Sequence, residues 1–188
     1  MSRFYLAPTT LLRTAPLAFV EAAAEAGYDG VGLRLYRSPS LPFHPVVGDA
    51  PLIRAMASAL RDAGLDVLDV FTFYLLPGTE VADFRAAFAL GAEFGARYVV
   101  VQGDDPEWPR LCDNFGRACD EAAAVGLSAA IEFVPARQLA TLGQALRLID
   151  ACGRANAAIC VDPLHLARSG GQPADLVALD PRLLPYAQ

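Results

Sequence analysis

Two short apolar runs in this sequence each end in an acid. Ala129-Ala130-Ile131 leads into Glu132, and Ala158-Ile159-Cys160-Val161 leads into Asp162, which is followed by Pro163, Leu164 and His165. Runs of that length and composition are expected to be buried parallel strands. A carboxylate in the last strand position, with a proline stopping the ladder after Asp162, faces the mouth of the sheet, where α/β architectures collect ligands and metals. Two carboxylates and one imidazole converging there form an ordinary donor set for a divalent cation. The chemistry on offer is polarisation of an oxygen-bearing substrate. Each residue also has a structural alternative. Glu132 can cap the next helix, although an unpaired carboxylate directly after an apolar run is costly. Asp162-Pro163 also reads as a helix start, a cap followed by proline at the first helical position. His165 can be an ordinary helix-start histidine.

The elements that must position these groups recur along the chain. An Ala-rich amphipathic helix, a glycine, a short gap and an apolar strand appear as 19–27 before 31–35 and as 53–64 before 67–73. The unit returns as 84–95 before 98–102, as 111–126 before 128–133 and as 142–153 before 158–162. Gly27, Gly64, Gly95, Gly126 and Gly153 fit helix C-caps, where a left-handed backbone is needed. Adding a first strand at 3–6 and a last at 185–188 gives seven β segments alternating with helices, which means βα units and a parallel sheet. No GxGxxG or GxxxxGK[ST] follows any strand, so nucleotide-binding open sheets lose support. A (β/α)8 barrel fits better. Such barrels run to about 250 residues and need eight strands to close, so the 188 residues are expected to form one domain of a longer barrel, truncated or incomplete after about seven strands. The exposed edge and interior are expected to be covered by a further segment or a partner chain, a homo-oligomer among the options.

Composition narrows the partners. Net charge is −6 and all 15 basic residues are Arg, with no basic cluster, so neither nucleic acid nor an anionic membrane is attracted. No apolar run approaches the roughly 20 residues a bilayer span needs, and the N-terminus lacks a charged-then-apolar signal pattern. Cys112, Cys119, Cys152 and Cys160 form no CxxC pair, which suits reduced, buried thiols in a cytoplasmic protein. Outside the two strand ends, His44 lies in the loop 39–51 after the second strand, where it is either solvated or a substrate contact. Arg34 alternates with Leu33 and Leu35, points into the barrel, and either pairs with a nearby acid or binds a substrate carboxylate or phosphate. Trp108 either walls a pocket or simply packs. Asp104-Asp105 is expected to be a solvated loop rather than a second metal site.

Ala24-Glu25-Ala26-Gly27-Tyr28-Asp29-Gly30-Val31, Gly95-Ala96-Arg97-Tyr98-Val99-Val100-Val101, the Ile131-Glu132 strand end and Asp162-Pro163-Leu164-His165 together resemble the xylose isomerase-like TIM-barrel superfamily. The resemblance spans essentially the whole chain. It includes sugar-phosphate isomerases and epimerases, hydroxypyruvate isomerase, inosose and 3-dehydroshikimate dehydratases, and endonuclease IV. It implies one divalent metal, Mg²⁺ or Mn²⁺ foremost with Zn²⁺ or Co²⁺ also compatible, held by Glu132, Asp162 and Gln188. A fourth ligand, a Glu on an eighth strand, has no counterpart within these residues. His165 is implied to face substrate and to act beside Glu132 in catalysis. Gln138 stands where sugar epimerases often place a substrate-binding Glu, and Arg34 where many relatives carry Glu. The implied activity is a metal-dependent sugar or sugar-phosphate isomerase or epimerase acting on a keto-sugar or related polyol ketone through an enediolate. A dehydratase-type lyase is the first alternative and a non-catalytic remnant or binding protein the second. Endonuclease IV-type repair needs a His-rich multi-zinc site and a cationic groove, and two histidines with a net charge of −6 do not supply them.

Overall fold

A computed structural model describes residues 2–38 and 41–188. Its strands are β1 (Tyr5–Leu6), β2 (Gly30–Leu33), β3 (Asp66–Leu75), β4 (Tyr98–Gly103), β5 (Ser128–Glu132), β6 (Ala157–Val161) and β7 (Tyr186–Ala187). They form one sheet in chain order, β1 to β7, with every neighbouring pair parallel. The return helices are α1 (Pro16–Glu25), α2 (Ala50–Ala63), α3 (Arg85–Glu93), α4 (Trp108–Ala123) and α5 (Leu142–Cys152), and a short α6 (Pro163–Arg168) follows β6. Parallel strands whose spatial order repeats their chain order, each returned by a helix, wind in a single sense, and this is how a (β/α)8 barrel is built.

Side chains of each strand divide between two cores. On β4, β5 and β6, Val99, Val101, Ala129, Ile131, Ala157, Ile159 and Val161 pack outward with the helices. The alternate residues Val100, Ala130, Ala158 and Cys160 join Phe71 in a separate inner cluster, flanked by Tyr98 and Tyr186. Period-two alternation carries this inner face on to the strand ends, so Gln102, Glu132 and Asp162 belong to it. The helices lie close to the sheet. A Cβ added to Gly91 of α3 would sit 2.5 Å from Val70 Cγ2 of β3, so only glycine permits that approach.

The five glycines expected to end helices all have positive φ, and Gly64 and Gly153 are left-handed C-caps of α2 and α5. Several element ends differ from expectation. β2 stops at Leu33, because its register against β3 shifts between Val31 and Leu33; Arg34 therefore lies just past the strand. The last strand is Tyr186–Ala187, with Gln188 N donating to Val161 O at 2.9 Å. The helix α6 leaves no periodic signal because it has only 6 residues. Among the described residues no strand bridges β1 and β7. Between them lies a cleft of about 670 Å³ whose lining includes Leu6, Gly32, Asp69, Tyr98, Tyr186 and Gln188. No helix of the described residues is long and apolar enough to cross a membrane.

Candidate metal centre

Glu132 is the last residue of β5 and is 3% exposed. Its neighbours are fixed by register: Gln102 pairs with it across β4–β5 and Cys160 across β5–β6. Gln102 Nε2 donates to Glu132 Oε2 at 2.5 Å, which immobilises one carboxylate oxygen. The other, Oε1, lies 3.9 Å from His165 Nε2. Burial is the main cause that pushes the Glu132 carboxyl up to about 7; the Gln102 hydrogen bond opposes it, and the charges of Asp162 and Asp69 add to it. A positive charge placed beside a carboxylate raised in this way would bring it down again.

Asp162 caps α6 with one oxygen and turns the other toward His165. Oδ1 accepts from Leu164 N at 2.6 Å and His165 N at 3.1 Å, capping α6. Oδ2 lies 3.6 Å from His165 Nε2. Pro163 at the first helical turn begins the helix without a wasted donor, and one turn of helix then swings His165 back over the strand ends. Glu132, Asp162 and His165 each offer a ligand atom, and all of these lie within 4.8 Å of one another. Two carboxylates and an imidazole gathered at that spacing fit a divalent cation. The His165 Nδ1 is buried with no hydrogen-bond partner, whereas a metal-bound imidazole ordinarily fixes its ring through that second nitrogen.

The remaining expected residues are spread around this centre. Gln188 Oε1 accepts weakly from Cys160 Sγ at 3.6 Å, which sets it at the end of β7 one strand beyond Asp162. Arg34 follows inward-facing Gly32 by two residues and has a buried Nη2 without a hydrogen-bond partner. His44 is exposed, with Nε2 3.3 Å from Arg13 O, and shares the lining of a small apolar cavity with Arg34, Pro8 and Met56. Pro39 and Ser40, at the start of the His44 loop, lie outside the described residues. Gln138 is exposed and donates its backbone N–H to Asp104 Oδ1. Trp108 opens α4, exposed, with the Arg147 guanidinium 5.4 Å from its ring centre. The hollow of β1–β7 and the cavity at Arg34 do not include Glu132, Asp162 or His165 in their walls.

The Asp104-Asp105 pair differs from the solvated loop expected. Asp105 is 2% exposed and takes both Arg110 Nε and Nη2, at 2.6 and 2.7 Å, while Asp104 pairs with Arg137 at 2.8 Å. These ion pairs bind the loop after β4 to α4 and to the loop after β5. Three cysteines are buried as expected, and Cys112 is half-buried. Sequence reasoning missed Gln102 and Asp69. Gln102 closes a predicted strand at the same rank as Glu132, and Asp69 interrupts the apolar run of β3; both were visible as polar residues at inward positions.

The pattern of the xylose isomerase-like TIM barrel family fits residues 20–186, and the chain belongs to that family. No curated protein matches the sequence. Solved structures share the fold at low identity. The IolI protein with a bound zinc atom superposes with a TM-score of 0.79 at 17% identity, covering 99% of this chain and 72% of that one. The probable 3-DHS dehydratase AsbF of Bacillus anthracis gives 0.78 at 17%, with 100% and 71% covered. A D-allulose 3-epimerase from Methylomonas sp., in complex with D-allulose, gives 0.76 at 17%, with 98% and 70% covered.

Proposed function

We propose that this chain carries the metal centre of an isomerase or epimerase that acts on a keto-sugar or related polyol ketone through an enediolate. The observation that carries the reading is the meeting of Glu132 and Asp162, at neighbouring strand ends, with His165 from α6, with ligand atoms within 4.8 Å of one another. The kinship with a zinc-bound protein and with an epimerase of the same fold supports it. In this reading Glu132, Asp162 and Gln188 hold a divalent cation, Mg²⁺ or Mn²⁺ by preference for oxygen donors. The cation supplies the Lewis acidity that eases loss of a proton next to a carbonyl. Glu132, one oxygen fixed by Gln102, accepts that proton. His165 stands beside the centre with a free Nδ1 and moves a proton at a substrate oxygen.

Deuterium exchange tests the reading directly. A panel of ketoses in D₂O is expected to take up deuterium at the α-carbon only with Mn²⁺ or Mg²⁺ present, and to stop when chelator is added. Glu132→Gln is expected to slow exchange by about 10²-fold or more, as loss of a general base does. Absence of exchange across the panel at full metal occupancy would refute the isomerase reading. Loss of water from a cyclic β-hydroxy ketone under the same conditions would put the chain with the dehydratases, the class of another structural neighbour.

A further inference from the structure

Several arginines of this chain are paired with acids: Arg110 with Asp105, Arg137 with Asp104, Arg154 with Asp120. Arg34 is different. Its Nη2 is shielded from solvent, yet among the described residues it has no hydrogen-bond partner. Burial is the main influence on the guanidinium, lowering its pKa, and the neighbouring group that acts on it is the Tyr74 hydroxyl rather than a carboxylate. Arg34 as a whole is only half-buried, but shielding even one guanidinium nitrogen without a hydrogen-bond acceptor is unfavourable. Such a placement is maintained where a ligand supplies the missing charge.

The position suits a ligand. Arg34 lies just past β2, beside the Tyr74 hydroxyl; Tyr74 pairs in register with Gln102, and Gln102 with Glu132, so these residues follow one another along the strand ends. Tyr74, at the end of the adjacent strand β3, lies between two arginines, because the Arg137 guanidinium is 4.9 Å from its ring centre. Arg137 is already paired with Asp104, which leaves Arg34, among the described residues, as an unpaired cation on the β2–β3 side, while the β5–β6 side carries the acids of the proposed metal centre. A molecule lying across the mouth meets opposite charges at its two ends.

From this we infer that Arg34 receives an anionic substituent, a carboxylate or a phosphate, of a ligand whose hydroxyl or keto oxygens occupy the Glu132–Asp162 centre. This rests on the proposed function for the location of the second end, and it narrows the substrate class from polyol ketones in general to acidic ones. The planar fork of guanidinium matches either anion with two parallel hydrogen bonds.

The test uses probes that cannot turn over, in two lengths: glycerol, glycerate and glycerol 3-phosphate, then glucitol, gluconate and glucitol 6-phosphate. Calorimetry with the Mn²⁺-loaded chain is expected to show an anionic member of at least one set binding about 10-fold or more tighter than its neutral parent. Which anion wins identifies the source. Arg34→Met, which keeps the apolar stem and drops the charge, is expected to erase the preference with Mn²⁺ content unchanged, and Arg34→Lys to restore part of it. Without ligand, Arg34→Met is also expected to melt higher than the parent chain, because an unpaired buried charge is gone. Equal affinity for neutral and anionic probes in both sets, or a preference that survives in Arg34→Met, overturns the inference. So does a lower melting temperature of Arg34→Met, which would reveal a structural partner. An anion preference without proton exchange on any ketose supports the site while the proposed reaction fails; exchange on neutral ketoses with no anion preference fails the site alone.

Discussion

Gln102 and Glu132 meet because parallel register sets them side by side at the ends of β4 and β5, and a single hydrogen bond then decides which carboxylate oxygen stays available. A donor behind a metal-binding carboxylate orients it and tunes its basicity, and losing such a partner commonly costs 10–100-fold in metal affinity. Gln102→Leu is accordingly expected to weaken Mn²⁺ binding by about that factor in calorimetry, while Gln102→Glu, which places another carboxylate against Glu132, is expected to impair the apo fold. An unchanged Mn²⁺ affinity in Gln102→Leu would show that the contact does not act on the centre. His165 is separated by metal content alone. Its unpartnered Nδ1 favours a role toward substrate, so His165→Ala is expected to keep its Mn²⁺ by elemental analysis and Gln188→Ala to lose much of it. The reverse pattern moves the imidazole into the ligand set.

At the scale of elements, β6 and α6 share one residue. Asp162 ends the strand face that carries Cys160 and caps the helix that carries His165, so the strand-to-helix turn and the proposed cation site use the same carboxyl group. The two uses separate by substitution. Asn caps as well as Asp, so Asp162→Asn is expected to keep apo stability within about 0.5 kcal/mol while metal binding is lost. Asp162→Ala loses the cap as well and is expected to cost about 1 kcal/mol more in urea unfolding. Equal destabilisation by both would mean that the cap contributes nothing. The same pair illustrates what was legible beforehand. Strand ends at Glu132 and Asp162 could be read from apolar runs closed by an acid, and the helix ends from glycines that do occupy the left-handed region. The β2 end could not be read, because a register shift against β3 leaves no mark in composition. The pairing of Asp105 with Arg110 was equally hidden: two residues five apart meet only because α4 turns back over its own preceding loop.

On the scale of the whole molecule, the sheet curls so that β1 and β7 face each other across a cleft rather than pair. Asp69 of β3 lies on that cleft, 2% exposed, with Oδ1 lacking a hydrogen-bond partner. Tyr186 of β7 stands toward it, the hydroxyl likewise buried and without a hydrogen bond of ordinary geometry. Burial raises the Asp69 carboxyl from 3.8 to about 7, and the nearby Tyr186 hydroxyl lowers it only in part. In the unfolded chain the same carboxyl titrates near 3.9. Between those values the unfolded state has released a proton that the folded state retains. Stability therefore falls as pH rises from about 4 to about 7 and levels off above the folded value. Asp69→Asn keeps the shape, cannot ionise, and is expected to remove this slope. Urea unfolding of both chains with chelator present, so that metal linkage does not contribute, should show the variant gaining on the parent by about 2 kcal/mol between pH 5.5 and pH 8. A gap that stays constant over that interval would mean that Asp69 is already ionised in the fold, with water in the cleft supplying the hydrogen bonds that protein groups do not.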